Sequence, residues 1–333
     1  MVSRPQVPGD AAWVPHSSAA RRLEIEPVVW RMVIDVMTAD LCDAFGVEGI
    51  RCILLKGPAI ARWLYLRPAE RSYLDVDLLV PEAQLARAER LLERKGFKRL
   101  GREAIPGDWP KHAHNWIRPD GAVLDLHYTI PGAGVPPSDV WDVLRGRVET
   151  MIVANRSVDV LDEGARALLV ALHAWKDGRV RQARADLALA LDRLPRGAWE
   201  DAAGLADSLQ ALEGMAAGLE REPAGRSLAR DLHLPTERST AVALRAEGAP
   251  PLAVGIDWFI RTPGWREKTA LVIRKVFPPP AFLRDWSPLA ERGPIGLAAA
   301  YVWRPLWILW HAGPALRAWF RAKRGSGRAS GSR

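Results

Sequence analysis

The heptapeptide Leu74-Asp-Val-Asp-Leu-Leu-Val80 constrains the fold more than any other feature of the chain. It alternates and then runs apolar, which is typical of a strand buried on at least one face. Asp75 and Asp77 then share a face, roughly 6–7 Å apart, because a strand rises ~3.3 Å per residue. An isolated pair of this kind is most often a solvated strand face. Two acids in an apolar strand also suit a pair of divalent cations, which take oxygen ligands and lie about 3.5–4 Å apart in phosphoryl-transfer sites.

Strands and helices alternate around this heptapeptide. We predict helices over 27–45, 58–66 and 82–95, and strands over 50–55, 74–80, 111–117 and 122–130. From about residue 163 the pattern is almost wholly helical, with helices over 163–177, 179–194, 198–220, 224–232, 237–247, 251–261 and 264–277. The sequence therefore predicts an α+β protein in which a mixed sheet with flanking helices precedes a helical C-terminal domain.

The length of 333 residues is typical of two domains. We predict a flexible arm over 1–22, an α/β domain over 23–160, a helical domain over 161–285, and a Trp-rich apolar segment with a basic tail over 286–333. Residues 1–20 contain no apolar segment of the kind found in signal peptides, so we expect no signal peptide there. The two cysteines cannot build a disulfide framework or a thiolate zinc site, which favours the cytoplasm.

A second acidic motif, Leu124-Asp125-Leu-His127-Tyr128, supplies a third carboxylate. If the turn at 119–121 closes an even-numbered loop, Asp125 and His127 share their face with three residues of the preceding strand, which are His112, His114 and Trp116. An odd loop reverses this pairing. Histidines beside an acid fit either a separate transition-metal site or contacts to substrate.

The segment Lys56-Gly57-Pro58 is a strand end that turns into a helix N-terminus, where free backbone N–H groups favour an anion. Gly57 allows close backbone approach. Lys56 and Arg71 have the charge to neutralise a triphosphate, although either residue taken alone is more often a solvated surface group.

The order of these motifs resembles the uncharacterised nucleotidyltransferase family of the DNA polymerase β-like superfamily. The resemblance extends over roughly residues 25–285. Its further matches are Leu168-Leu-Val-Ala-Leu-His173, Asp186-Leu-Ala and Phe277-Pro-Pro-Pro. It implies a minimal polymerase β-like nucleotidyltransferase domain over 23–160, with the helical domain closing the cleft.

The resemblance also implies site roles. Asp75, Asp77 and Asp125 would bind two Mg²⁺ or Mn²⁺ ions and act as the catalytic residues, and Asp125 would accept the proton of the acceptor. The NTP contacts implied are Lys56, Gly57, Arg71, Ser72 and His127, although the turn lacks the serine that many relatives place on the triphosphate. His173 and Lys176 either contact nucleotide or acceptor, or pack. Without a cation the clustered acids repel, so we expect Asp→Asn at positions 75 and 77 to preserve or raise the melting temperature.

The function implied is transfer of a nucleoside monophosphate from an NTP to an unidentified acceptor, which is a protein, a peptide, RNA or a small molecule. A non-catalytic nucleotide-binding or protein-interaction module is the alternative, but three converging acids favour an enzyme. RNA modification of the toxin type requires a basic cleft. The formal net charge is +8, and six cations without an acid lie in residues 317–333, so the remaining chain is nearly neutral.

The C-terminal segment is rich in tryptophan, with seven of the 15 Trp residues after residue 250. Residues 293–316 contain one charged residue, Arg304, and three prolines. Three interpretations remain open: packing on the helical domain or a protein partner, a membrane-interface helix with the basic tail, and a membrane span. Arg304 and Pro305 lie in the middle of the segment and disfavour the span. We expect residues 293–324 to meet a protein partner or a membrane surface, the latter placing the protein peripherally at the membrane.

Overall fold

The computed structural model describes residues 27–100 and 112–327, and within them a mixed seven-stranded sheet carries helices on both faces. The predicted arm over 1–22, the first predicted residue of the strand at 111–117 and the end of the basic tail lie outside the described residues. The strands are β1 Ile53–Leu54, β2 Asp75–Leu79, β3 Lys98–Arg99, β4 Ala113–Ile117, β5 Val123–His127, β6 Val148–Val153 and β7 Arg156–Leu161. The α+β class predicted from the sequence is confirmed.

The helices begin before the sheet and continue after it. Within and beside the sheet they are α1 Pro27–Val47, α2 Pro58–Leu64, α3 Glu82–Arg94 and α4 Pro137–Leu144. After the last strand they are α5 Glu163–Asp177, α6 Arg181–Arg193, α7 Arg196–Ser208, α8 Leu212–Leu219, α9 Pro223–Asp231, α10 Thr240–Ala246, α11 Pro251–Arg261, α12 Trp265–Val276, α13 Pro280–Trp286 and α14 Gly293–Gly327. A short 3-10 turn spans Pro68–Glu70.

The strand order is β3-β4-β5-β2-β1-β7-β6. Strand β2 lies in the middle, antiparallel to β1 and parallel to β5, and β1 is parallel to β7. The remaining neighbours pair antiparallel. A central strand covered on both faces is expected to be apolar, as Val76, Leu78, Leu79 and Val80 are.

Two hydrophobic cores lie on opposite faces of this sheet because alternate residues of a strand point to opposite sides. On one face Val76 and Leu124 pack with residues of α1 and α3, such as Ile34 and Leu92. On the other face Leu79 and residues of β1 pack with α5 and the helices that follow it. The acids of β2 and β5 belong to this second face, so they lie between the sheet and the helical region.

The structure differs from the predicted elements in several places. The single helix predicted over 198–220 is divided into α7 and α8, because Gln210 adopts a left-handed conformation with φ +52° that ends a helix. The hairpin β6–β7 was not predicted, and its turn contains Ala154 and Asn155 with φ values of +46° and +60° rather than a glycine. Helix α4 was also not predicted.

The last helix, α14, has 35 residues and contains Pro305 and Pro314. It packs on α10, α11, α12 and α13. Over residues 27–100 and 112–327, the helices lack the combination of length and apolarity that crossing a bilayer requires.

Candidate active site

The centre of the site is the parallel pairing of β2 with β5. In this register Asp75 lies opposite Val123, and Asp77 lies directly opposite Asp125. Both strands are short and buried, and their acids alternate with the apolar residues of the opposite core. Local sequence placed each acid on a face of its strand, but the parallel register brings the two strands' acids together.

Asp77, Asp125 and His127 form a compact group in which one ligand-capable atom of each lies within 4.8 Å of the others. Asp77 and His127 are buried, and Asp125 is partly buried. Asp75, two residues before Asp77 on the same face, is half-buried and is not part of this group. The structure therefore brings the predicted third acid to the first pair, with Asp77 at the centre.

Lys56 reaches this group from the turn between β1 and α2. Its Nζ lies 2.8 Å from Asp77 Oδ1. Gly57 makes this turn with φ +56°, and a Cβ there would lie 3.5 Å from the Asp75 carbonyl oxygen in a strained conformation. Pro58 then begins α2, where a missing N–H costs no hydrogen bond.

The surroundings of the two central acids shift their pKa values in opposite directions. Burial penalises the Asp77 carboxylate, but the charge of Lys56 and the hydrogen bond from His127 outweigh it and hold the pKa of Asp77 well below its usual range. For Asp125, burial and the charges of Asp77 and Asp75 raise the pKa to about 7. One acid is therefore firmly ionised, and its neighbour is ready to hold or release a proton near neutral pH.

His127 supports Asp77. Its Nε2 lies 2.9 Å from Asp77 Oδ1, and burial lowers the pKa of the imidazole. Since an ionised carboxylate only accepts hydrogen bonds, Nε2 carries the proton and donates it to Asp77. The other ring nitrogen, Nδ1, is buried and has no hydrogen-bond partner among the described residues.

The donor set fits divalent cations through its carboxylates. Three acids on one face exceed the single charge of Lys56, and the raised pKa of Asp125 is the electrostatic consequence of that excess. Carboxylate oxygens are the ligands that Mg²⁺ and Mn²⁺ prefer. The described group that could hold an ion is Asp77, Asp125 and His127, and because His127 Nε2 donates to Asp77, its two carboxylates supply the oxygen ligands.

The hairpin before β5 corrects one expectation. Its connection, residues 118–122, is odd, so the pairing is the reverse of the one predicted for an even loop. Asn115 lies opposite Asp125 and donates a hydrogen bond of 2.5 Å to its Oδ1. His114 and Trp116 point to the opposite face, where His114 Nδ1 contacts Glu89 Oε1 at 2.6 Å. The predicted cluster of histidines is therefore not formed, although the His112 ring lies 5.4 Å from that of His127.

Asn115 is a site residue that the sequence reasoning missed. The signal that would have found it is the odd length of the loop, since the pairing of a hairpin depends on the number of residues between its strands. Asn115 supplies an N–H to an acid with a raised pKa, and so it fixes the Asp125 carboxyl group in one orientation.

Arg71 does not meet the acids in the structure. Its guanidinium forms a two-pronged ion pair with Asp186 of α6, with Nη2 at 2.8 Å from Oδ2 and Nε at 3.0 Å from Oδ1, and both side chains are buried. Tyr65 and Gln182 also donate to Asp186. Arg71 Nη1 further donates to the Gly57 carbonyl oxygen at 3.4 Å, so it connects the turn of Lys56 to the helical region.

Ser72 is exposed, beside Arg71. His173 and Lys176 of α5 face the site across a small cavity that Lys56 and His127 also line. Burial and the charge of Lys56 lower the pKa of His173 to about 4, and burial lowers the pKa of Lys176. Both residues therefore border the site.

Residues 32–221, more than half of the chain, match the model of the uncharacterised nucleotidyltransferase family. A solution structure of the antibiotic-resistance factor ANT(2'')-Ia is 15% identical with a TM-score of 0.39, and the match covers 57% of this chain and 97% of that one. A crystal structure of ANT(2'')-Ia in complex with adenylyl-2''-tobramycin is 15% identical with a TM-score of 0.33, covering 56% and 97%.

An antigenic nucleotidyltransferase-like protein from Paracoccidioides brasiliensis is 16% identical with a TM-score of 0.35, covering 63% of this chain and 95% of its own. No curated protein matches the chain.

Proposed function

Since this chain belongs to the uncharacterised nucleotidyltransferase family, we propose that it is an enzyme that transfers a nucleoside monophosphate from an NTP to an acceptor hydroxyl group. The observation that carries the proposal is the pairing of Asp77 with Asp125, which joins the acids of two strands on one face beside Lys56. A chain with only two cysteines is typical of a reducing compartment, so we propose that the reaction takes place in the cytoplasm.

Asp75, Asp77 and Asp125 would hold two divalent cations. Bound there, Mg²⁺ or Mn²⁺ would activate the acceptor hydroxyl and neutralise the departing pyrophosphate. His127 keeps Asp77 oriented through its Nε2–H, and Asn115 does the same for Asp125. The positions of both carboxylates are therefore fixed before substrate binds, and such positioning supplies most of the acceleration in phosphoryl transfer.

In the proposed reaction the acceptor oxygen attacks the α-phosphorus of the NTP, and the bond from that phosphorus to the bridging oxygen breaks. Pyrophosphate leaves with the electron pair, and the proton of the acceptor hydroxyl goes to Asp125. Its place opposite Asp77 and the hydrogen bond from Asn115 suit Asp125 to this role, because a general base must lie within reach of the proton that it accepts.

The triphosphate would bind at the turn before α2. Lys56 and the backbone around Gly57 supply the positive end, and Ser72 adds a hydroxyl from the exposed segment nearby. Arg71 is bound to Asp186, so we assign it the positioning of the Gly57 turn rather than a direct contact. His173 and Lys176 line the cavity beside Lys56 and His127, and we assign them to contacts with the acceptor.

The test is incubation of the protein with each α-labelled NTP and Mg²⁺ or Mn²⁺ in cell extract, followed by identification of the labelled molecule. Asp75→Asn, Asp77→Asn and Asp125→Asn should each lower transfer by on the order of 10²-fold or more. Asp125→Asn should keep more affinity for the metal–NTP complex, because Asp75 and Asp77 still hold the ion on the triphosphate.

Asp159→Asn is the matched control, since Asp159 is an exposed acid of the same sheet on β7 and should keep normal transfer. If the wild-type protein binds NTP with the metal but labels no molecule, the chain is a non-catalytic nucleotide-binding module and not an enzyme. Normal transfer by Asp77→Asn would contradict the assigned site.

A further inference from the structure

Helix α14 turns its apolar side outward. The exposed fractions of Ile295, Leu309 and Trp310 are 85%, 71% and 83%. The outward-facing apolar residues recur at helical spacing and so share one face, which we call the outer stripe. The outer stripe consists of Ile295, Val302, Trp303, Leu306, Leu309, Trp310, Leu316 and Phe320.

Between residues 293 and 316, the charge of the same helix lies on its inward side. Arg304, the one charged residue between 293 and 316, is buried. Its Nε donates to the Lys275 carbonyl oxygen at 2.8 Å, and its guanidinium lies 4.8 Å from the rings of Phe282 and Trp286. Further along the helix, the buried Trp319 donates from Nε1 to Asp257 at 3.1 Å.

These two anchors fix the rotation of α14 about its axis. With Arg304 and Trp319 held inside, the outer stripe cannot turn inward without breaking buried polar contacts. A helix with a buried arginine and exposed Trp, Leu and Ile is the reverse of the usual arrangement at a water surface. Contiguous apolar surface of this kind marks a site of interaction with an apolar partner.

The charge around the outer stripe indicates that the partner has an anionic surface. Residues 251–327 contain twelve Arg and Lys residues and four acids. Arg317, Arg321 and Arg324 are exposed at the C-terminal end of α14. A second copy of the chain would bring this cationic region against itself, which is unfavourable, whereas an anionic surface complements it.

The composition of the stripe agrees with a bilayer surface. Trp303 and Trp310 lie among aliphatic residues, and tryptophan is the side chain that concentrates at the boundary between lipid head groups and acyl chains. Apolar residues on one helix face with adjacent cations are typical of helices that lie in the plane of an anionic membrane.

We propose that the outer stripe and the exposed arginines of α14 bind the surface of an anionic phospholipid bilayer, with α14 lying in the plane of the interface. Trp303, Leu306 and Trp310 enter the head-group region, and Arg317, Arg321 and Arg324 contact lipid phosphates. This goes beyond the proposed nucleotidyl transfer and does not depend on it.

The experiment is flotation of the full-length chain with vesicles of phosphatidylcholine alone and of phosphatidylcholine with a third of phosphatidylglycerol. The wild type should float with the anionic vesicles, and high salt should reduce the bound fraction. Trp303→Gln/Leu306→Gln/Trp310→Gln should lower the partition coefficient by about tenfold or more. Arg317→Gln/Arg321→Gln/Arg324→Gln should remove the preference for anionic vesicles.

The matched control is Val47→Gln/Leu66→Gln/Ile152→Gln, which removes three exposed apolar side chains elsewhere and should float as the wild type does. Circular dichroism of each variant confirms that the fold is retained. Three outcomes would overturn the proposal: no flotation of the wild type, equal flotation of the stripe variant, or a wild-type dimer by light scattering that the stripe variant converts to a monomer.

Discussion

The charge of Lys56 determines which acid of the group is destabilised when no cation is bound. The sequence led us to expect that removing the charge of Asp75 or Asp77 relieves repulsion. For Asp77 the structure supplies an opposite charge 2.8 Å away and a hydrogen bond from His127. The repulsion is concentrated instead on Asp125, whose pKa is raised to about 7 by burial and by the charges of its two neighbours.

The two substitutions should therefore change the stability of the metal-free protein in opposite directions. Asp77→Asn leaves the ammonium of Lys56 largely buried without its partner and should lower the free energy of unfolding by about 2–3 kcal/mol. Asp125→Asn should raise it at neutral pH, since it removes the charge that its surroundings disfavour. Urea unfolding in EDTA measures both. Equal small changes for both variants would indicate a solvated strand face.

The effect of Asp125 on the free energy of unfolding should depend on pH. Its pKa is about 7 in the folded protein and about 4 in the unfolded chain. A raised carboxyl pKa means that the folded state holds a proton which the unfolded state has lost, so this group makes the protein less stable as the pH rises from about 4 to 7. The stability gained by Asp125→Asn should grow over that range and level off above it.

Unfolding curves of the wild type and Asp125→Asn at a series of pH values in EDTA test this. A stability difference between Asp125→Asn and wild type that stays constant from pH 4 to 8 would contradict the raised pKa.

At the scale of elements, the ion pair of Arg71 with Asp186 joins the segment before β2 to α6. Both side chains are buried, and the same Arg71 contacts the turn that presents Lys56. Removing one partner of such a pair leaves the other charge uncompensated in the interior. The pair therefore couples the helical region to the geometry of the turn that carries Lys56 and Gly57.

Asp186→Asn should lower the free energy of unfolding by roughly 3–5 kcal/mol. The double variant Arg71→Met/Asp186→Leu should recover most of this loss, because neither charge then remains buried alone. Glu200→Gln, which breaks the exposed Arg196–Glu200 pair, is the control and should leave stability unchanged. Thermal unfolding of the four proteins decides, and a double variant no more stable than Asp186→Asn would count against this account.

At the scale of the whole molecule, the C-terminal helices form a small core of their own. Ala315, Trp319 and Ala322 of α14 pack on Leu244 and Ala253, and this cluster is separate from the two cores of the sheet. The acids of the site lie on β2 and β5, at the centre of the sheet. The C-terminal segment and the site therefore rest on different sets of packed side chains.

Truncation at about residue 290 should leave a soluble protein that still binds the Mg²⁺–NTP complex with nearly unchanged affinity. It should lose helical signal from the deleted segment and from the helices that α14 covered. Circular dichroism and titration with a fluorescent NTP measure these properties. Loss of the cooperative unfolding transition would show that the segment is part of the main core and that the domain division predicted from the sequence is wrong.

The sequence by itself determined the local properties of the site. Alternation in the heptapeptide fixed which face of β2 carries Asp75 and Asp77, and the Lys56-Gly57-Pro58 segment fixed where a strand gives way to a helix. Both follow from nearest-neighbour geometry, that is, from the two-residue period of a strand and from the φ values that glycine and proline allow. The α+β class also followed from the order in which strand-like and helix-like hydrophobic periodicities occur along the chain.

Only the tertiary structure decided which of these groups meet. The parallel pairing of β2 with β5 puts Asp77 opposite Asp125, and the odd hairpin loop puts Asn115 rather than His114 beside Asp125. Arg71 was expected to contact the triphosphate. In the structure its guanidinium forms an ion pair with Asp186, which is distant in sequence. The outward rotation of α14 depends on Arg304 and Trp319. Register, long-range ion pairs and helix rotation are set by packing between segments far apart in the chain, and local periodicity carries no information about them.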